Sequence, residues 1–369
     1  MKRRDFVKYG LIIAGVGGIC GFALKKNGSE YSFEKVPADK VLDNLGPCRA
    51  PFENLEIQPE GKIYPCCPEH IYNHPEGFGN IITTDFKDIW NGPALNEIRQ
   101  KVLNNDYSFC NRKICNYYPS SYTKNFDASK HGPKSVFIGY DQECNYRCKT
   151  CRDEIITNSD EELNILDNVV LPKVLSLLKD TEYVMFSGGD PLASRHMRKL
   201  IKAACEKNVK AKLSVCTTGY FFDEQNMKKM SVKKLKTLAI SVNATTRETY
   251  NKIMRMDVFD KITDNLKFAS EWKKQGKLEE FYLNFVVHSM NYKEMIDFVK
   301  MAEKLDAVAN FWEYQPWPNA VMHKHYKEFA VFEPYHKDYP KFKEILHNPI
   351  FKSKHCLLNP LLQNIADSP

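Results

Sequence analysis

From residue 135 onward, short apolar runs and longer amphipathic stretches alternate along the chain. The runs at 135–140, 183–186, 211–216, 237–242, 281–287 and 309–314 are rich in β-branched and aromatic residues and predict strands. Between them, apolar residues recur every three or four positions over 161–178, 197–207, 224–230, 259–274 and 293–305, which predicts helices. Strands separated by helices argue for an α/β fold with a parallel sheet built from right-handed crossovers. The spacing suits a partial barrel or an open doubly wound sheet, and periodicity alone does not choose between them.

Upstream the pattern is different. Leu55-Glu56-Ile57 and Lys62-Ile63-Tyr64 read as two short strands around Gly61, and 85–103 has helical spacing through Phe86, Ile89, Trp90, Leu95, Ile98 and Leu103. Polar stretches at 25–40 and 119–134 read as linkers. The division expected is a leader at 1–26, a compact cysteine-bearing module at 45–118, a core at 135–318 and a C-terminal extension at 319–369, cut into short pieces by prolines.

Composition changes this picture little. The chain has 369 residues, 43% hydrophobic and 27% charged, as a folded globular protein should. A net charge of +7 comes from dispersed lysines, which read as solvated helix faces and exclude a nucleic-acid partner. The leader matters more. Arg3-Arg4 precedes a glycine-rich apolar stretch from Gly10 to Leu24, similar to a twin-arginine export signal and short for a membrane span. The expectation is a membrane-associated protein tethered through 1–26, with a cytoplasmic protein as the alternative.

The twelve cysteines carry the chemistry. Cys144, Cys148 and Cys151 lie within eight residues, directly after the first core strand. In a strand–helix unit that loop is where functional groups collect. Tight clusters in a chain of this size read as metal ligation rather than as disulfides. A [4Fe–4S] cube normally takes a cysteine on each iron, so three local thiolates leave one iron open. Structural zinc asks for four closed ligands, and the nearest histidines, His131 and His196, are distant in sequence. Cys20, Cys205, Cys216 and Cys356 stand alone and read as small apolar residues.

Cys-x-x-x-Cys-x-x-Cys after a first strand resembles the radical S-adenosylmethionine (radical SAM) superfamily. Ser187-Gly188-Gly189-Asp190-Pro191 is similar to that family's Gly-Gly-Glu-Pro motif, and Ile240-Ser241-Val242-Asn243-Ala244 resembles its fourth strand. The resemblance implies a partial (β/α)6 TIM-type barrel and a [4Fe–4S] cluster whose open iron is chelated by S-adenosylmethionine. It implies reductive cleavage to a 5′-deoxyadenosyl radical. Gly188 and Gly189 would let backbone approach the cofactor, Asp190 would accept from its ammonium, and Ser241 and Asn243 would bond its ribose or carboxylate. The departures are Asp190 where glutamate is usual, and Thr150 where an aromatic usually precedes the third cysteine.

A second set, Cys48, Cys66, Cys110 and Cys115, resembles a SPASM-type auxiliary-cluster domain, placed ahead of the core where it usually follows. It implies a second, fully ligated [4Fe–4S] cluster, with Cys67 as an alternative to Cys66. The partners implied are a peptide, protein or small-molecule substrate and a flavodoxin- or ferredoxin-type reductant. The competing readings are a two-cluster electron-transfer protein and a zinc-stabilised binding module.

Overall fold

A computed structural model describes residues 47–111, 115, 132–207, 209–315 and 320–368, with the backbone alone for 320–323. The leader, the stretch 25–40, most of 119–134 and Trp317 lie outside the described residues. One nine-stranded sheet runs through them in the order β2-β1-β3-β4-β5-β6-β7-β8-β9. Its strands are β1 (Asn54–Ile57), β2 (Ile63–Tyr64), β3 (Ser135–Ile138), β4 (Tyr183–Phe186), β5 (Lys212–Thr217), β6 (Leu235–Ser241), β7 (Leu278–Val287), β8 (Val308–Glu313) and β9 (Cys356–Leu358).

The strand order settles what periodicity left open. Each strand from β3 to β8 pairs in parallel with the next one in sequence, so the order never reverses. A doubly wound sheet reverses at a switch point. With crossovers of one hand, consecutive order puts every helix on one face, and the twisted sheet curls away from them as an open partial barrel.

The sheet is wider than the six core strands. β1 pairs in parallel with β3, so the cysteine module extends the core sheet, and β9 pairs in parallel with β8 at the other edge. Only β2 runs antiparallel. The 85–103 stretch is two helices, Phe86–Trp90 and Pro93–Leu103, because Gly92-Pro93 breaks the first and starts the second. The 161–178 helix contains a π turn, Leu166–Val170, just before Pro172, whose missing N–H a regular turn would need.

Alternation along the strands separates two environments. Ile138, Phe186, Val215, Leu238 and Leu283 belong to the main core under the helices. Phe137, Met185, Ala239 and Tyr282 point the other way and form a small apolar floor inside the curl. Above and beside it the inner face turns polar, with buried Ser214, Thr237, Asn284 and Asn310; Asn310 donates to Asn284 Oδ1 at 3.0 Å. Hydrophilic side chains in mid-strand mark a face built to meet something other than a neighbouring helix.

The expected membrane association is corrected: no helix among the described residues is long and apolar enough to cross a membrane.

His288, just past the end of β7, is fully buried. Burial, with Lys149 and Lys252 adding to it, pushes its pKa down to about 3. A histidine held neutral in the fold gives stability that is present above its unfolded pKa near 6.5 and is lost as the pH falls toward the folded value. We expect stability to fall by up to about 1.4 kcal/mol per pH unit on this account below that pKa. Chemical denaturation between about pH 5 and 6, where carboxylates are still ionised, should show this slope in the native protein. The slope should flatten in His288→Gln.

Candidate active site

The loop after β3 turns back on itself to gather its cysteines. Cys144 N–H donates to Ile156 at 2.9 Å, closing the 144–156 segment, while Cys151 and Arg152 both donate to the Cys148 carbonyl. Lys149 N–H reaches the Ile253 carbonyl at 2.8 Å and ties the loop to the helix Arg247–Met254. All three thiols are buried. Burial pushes the Cys144 thiol up to about 12, although Arg152 pulls it back, and raises Cys148 well above the ordinary value, with Cys151 and Cys144 adding to it.

The glycine pair explains how this loop reaches its place. Gly188 has φ +105°, and a Cβ there would lie 2.4 Å from the Asp141 carbonyl oxygen. A Cβ on Gly189 would lie 2.2 Å from the Glu143 carbonyl oxygen. Gly189 and Asp190 instead donate their N–H groups to those carbonyls at 2.8 and 2.9 Å. The glycines therefore allow the cysteine loop to pack on the β4 turn, besides exposing backbone to the cavity they line. The same loop is pinned from above. Asp141 accepts from Ser194 Oγ at 2.5 Å and Asn158 Nδ2 at 2.9 Å, and Glu143 pairs with Arg195 at 3.1 Å.

The result is an open cavity at the C-terminal end of the strands. Cys144, Cys148, Cys151, Gly188, Gly189, Ser241 and Asn243 all line it. Asp190 does not: its oxygens accept from Thr217 Oγ1 at 2.7 Å, Thr218 Oγ1 at 2.5 Å, Thr218 N at 3.1 Å and Leu192 N at 3.0 Å. It holds the two threonines at the cavity wall instead of facing the cavity itself. Asn243, with φ 63°, accepts from Val286 N–H at 2.8 Å through its Oδ1 and so joins the ends of β6 and β7.

Several wall residues were not legible as site residues. Cys216, read as an isolated apolar residue, lies in the cavity wall on the inner face of β5. Burial, with Asp190 adding to it, pushes its thiol up to about 12, which keeps the S–H protonated; Ser241 and Ser187 bond to it, and Asn284 Nδ2 lies at 3.7 Å. Ser187, Cys216, Ser241 and Asn284 share inner-face parity on four consecutive strands, so alternation alone could have found them once the first was placed. Tyr146 and Tyr314 supply rings in the same cavity that Thr150 does not. Arg152 is the one charged side chain in the described wall, and its Nε donates to Cys151 Sγ at 3.2 Å.

The second cysteine set also assembles. Burial raises Cys66 well above its usual value, and Cys115, Glu56, Cys48 and Cys110 add to it. Burial pushes Cys48 up to about 12, with Cys115 and Cys110 close enough to contribute. Burial likewise raises Cys67 well above its usual value, with Glu56, Glu69 and Cys115 adding to it. Cys48 precedes β1 and Cys66 follows β2, so connectivity puts this set at the N-terminal end of β1, away from the cavity mouth. Among the described residues no three His, Cys, Asp or Glu side chains converge as ligands of a single ion. The donors are those an iron–sulfur cube takes, which meets its cysteines at separate corners.

Two family models match the chain. The iron–sulfur cluster-binding SPASM domain covers 48–116, and the radical SAM superfamily covers 142–302. A protein described as a probable GTP 3′,8-cyclase from Saccharolobus islandicus is 26% identical over 162 residues, 44% of this chain and 50% of its own length. Molybdenum cofactor biosynthesis protein 1 of Dictyostelium discoideum is 22% identical over 248 residues, 63% of this chain and 39% of its own. The chain thus spans about half the length or less of these curated relatives. Streptococcus suis SuiB bound to S-adenosylmethionine overlaps 76% of this chain and 64% of its own, at 15% identity and a TM-score of 0.45. The same protein bound to its precursor peptide SuiA overlaps 62% and 50%, at 16% identity and a TM-score of 0.43.

Gly189→Ala should drive the cysteine loop off the β4 turn. Anaerobic reconstitution followed by iron and sulfide analysis should then show loading fall from about eight irons per chain toward about four, with the auxiliary site still filled.

Proposed function

We propose that this chain, which belongs to the radical SAM superfamily and carries an iron–sulfur SPASM domain ahead of its core, modifies a side chain of a peptide or protein. Its cofactors are [4Fe–4S] clusters and S-adenosylmethionine. Cys144, Cys148 and Cys151 would hold the core cluster and leave one iron for the cofactor, which supplies a carbon radical able to remove hydrogen from an unactivated position. Gly188, Gly189, Ser241 and Asn243 would border the bound cofactor. Asp190 serves at one remove, by fixing Thr217 and Thr218.

One observation supports the choice of substrate. The described cavity wall carries one charged side chain, and that cation, Arg152, already donates to Cys151 and to the Gln142 carbonyl. A triphosphate asks for several uncommitted arginines or lysines. Serine, asparagine, glutamine and tyrosine side chains around a thiol suit the amides and hydroxyls of a peptide. An electron-transfer protein would have no use for such a cavity. Cys48, Cys66, Cys110 and Cys115 would hold a saturated auxiliary cluster suited to passing electrons, and a flavodoxin- or ferredoxin-type protein would be the reductant.

With S-adenosylmethionine and dithionite under anaerobic conditions, the loaded protein should form 5′-deoxyadenosine, and Cys144→Ala, Cys148→Ala or Cys151→Ala should reduce this to background. A peptide library incubated with it should yield a mass-shifted product, and GTP should remain unconverted. Conversion of GTP, or of a sugar in place of every peptide, would overturn the substrate assignment.

A further inference from the structure

Arg152 does more than the reading so far requires. It follows the third cysteine directly and is 2% exposed. A buried guanidinium is costly, and arginine keeps its proton in a folded protein. Its two bonds divide between different jobs. A terminal nitrogen donates to the Gln142 carbonyl at 3.0 Å, which braces the loop. Nε donates to Cys151 Sγ at 3.2 Å, which bracing does not need. Among the described residues its hydrogen-bond partners are a sulfur and a carbonyl.

We propose that Arg152 sets the reduction potential of the core cluster through its Nε–H bond to the Cys151 sulfur, making the cluster easier to reduce. This rests on the assignment of Cys144, Cys148 and Cys151 as its ligands. Reduction adds one electron, and part of that charge falls on the thiolate sulfurs. A donor and a fixed positive charge beside one sulfur stabilise the reduced state more than the oxidised one, and low local dielectric enlarges the difference. Arg152 is thus a positioning and tuning residue, acting on the cluster through Cys151. The electron comes from the iron–sulfur or flavin reductant that serves the cluster, and no proton need move.

The test is an EPR-monitored redox titration of the anaerobically loaded full chain, following the reduced signal that S-adenosylmethionine perturbs. In Arg152→Gln the ratio of reduced to oxidised cluster at a fixed potential should fall about tenfold or more, a shift of about 59 mV to more negative values. Arg152→Lys, which keeps the charge but loses the fork, should shift less. An unchanged midpoint in a loaded Arg152→Gln protein would overturn the proposal. The native protein provides a second reading that survives a failure of the variants to fold. With ¹⁵N-labelled arginine, electron–nuclear double resonance of the reduced cluster should show a ¹⁵N coupling, and its absence would overturn the proposal. If iron and sulfide content is the same in the native protein and in one lacking all three cysteines, the ligand assignment itself fails, separately from the tuning role.

Discussion

The architecture depends on one close approach: the cysteine loop after β3 lies directly against the backbone of Gly188 and Gly189. Carbonyl oxygens occupy the space where two Cβ atoms would otherwise be, and two N–H groups bond to those oxygens. This contact joins the loop that bears Cys144, Cys148 and Cys151 to the strand end at the cavity. Asp190 then extends the connection to Thr217 and Thr218 on β5, and Asn243 extends it from β6 to β7. Five neighbouring strands thereby contribute to one cavity.

The electrostatics follow from that packing. Burial makes the Cys144 and Cys148 thiols resist ionisation, and a buried arginine beside them partly offsets the cost. Thiolate ligation by a metal cluster completes the balance, since a cluster removes the protons that burial otherwise favours. The rest of the described wall carries no charge, which leaves recognition to amide, hydroxyl and ring contacts. The auxiliary set at the other end of β1 is less uniformly buried, Cys48 and Cys66 being buried and Cys110 and Cys115 half-buried, and Glu56 adds negative charge beside Cys66.

Much of this was legible in the sequence, for identifiable reasons. Core strands were read to within a few residues because their apolar runs are bounded by polar turns. The cysteine trio and the glycine pair stand out because their spacing is local. The partial barrel needed the strand order, which periodicity does not encode. β9 was hidden because three residues among prolines give no alternation to read. Arg152 and Cys216 were passed over for opposite reasons: an arginine after a cysteine looks like a solvated neighbour, and a lone thiol in an apolar strand looks like core. Asp190 looked like a ligand because it stands where the resembling motif has its glutamate, while its own carboxylate bonds to Thr217 and Thr218.

The central claim is that a cube on Cys144, Cys148 and Cys151 keeps one iron free of protein. Mössbauer spectroscopy of protein loaded with ⁵⁷Fe, before and after addition of S-adenosylmethionine, tests it most directly. One iron in the core cluster should have parameters distinct from the other three and should shift when the cofactor is added. Four irons that keep the same cysteine-ligated parameters with and without cofactor would contradict the account.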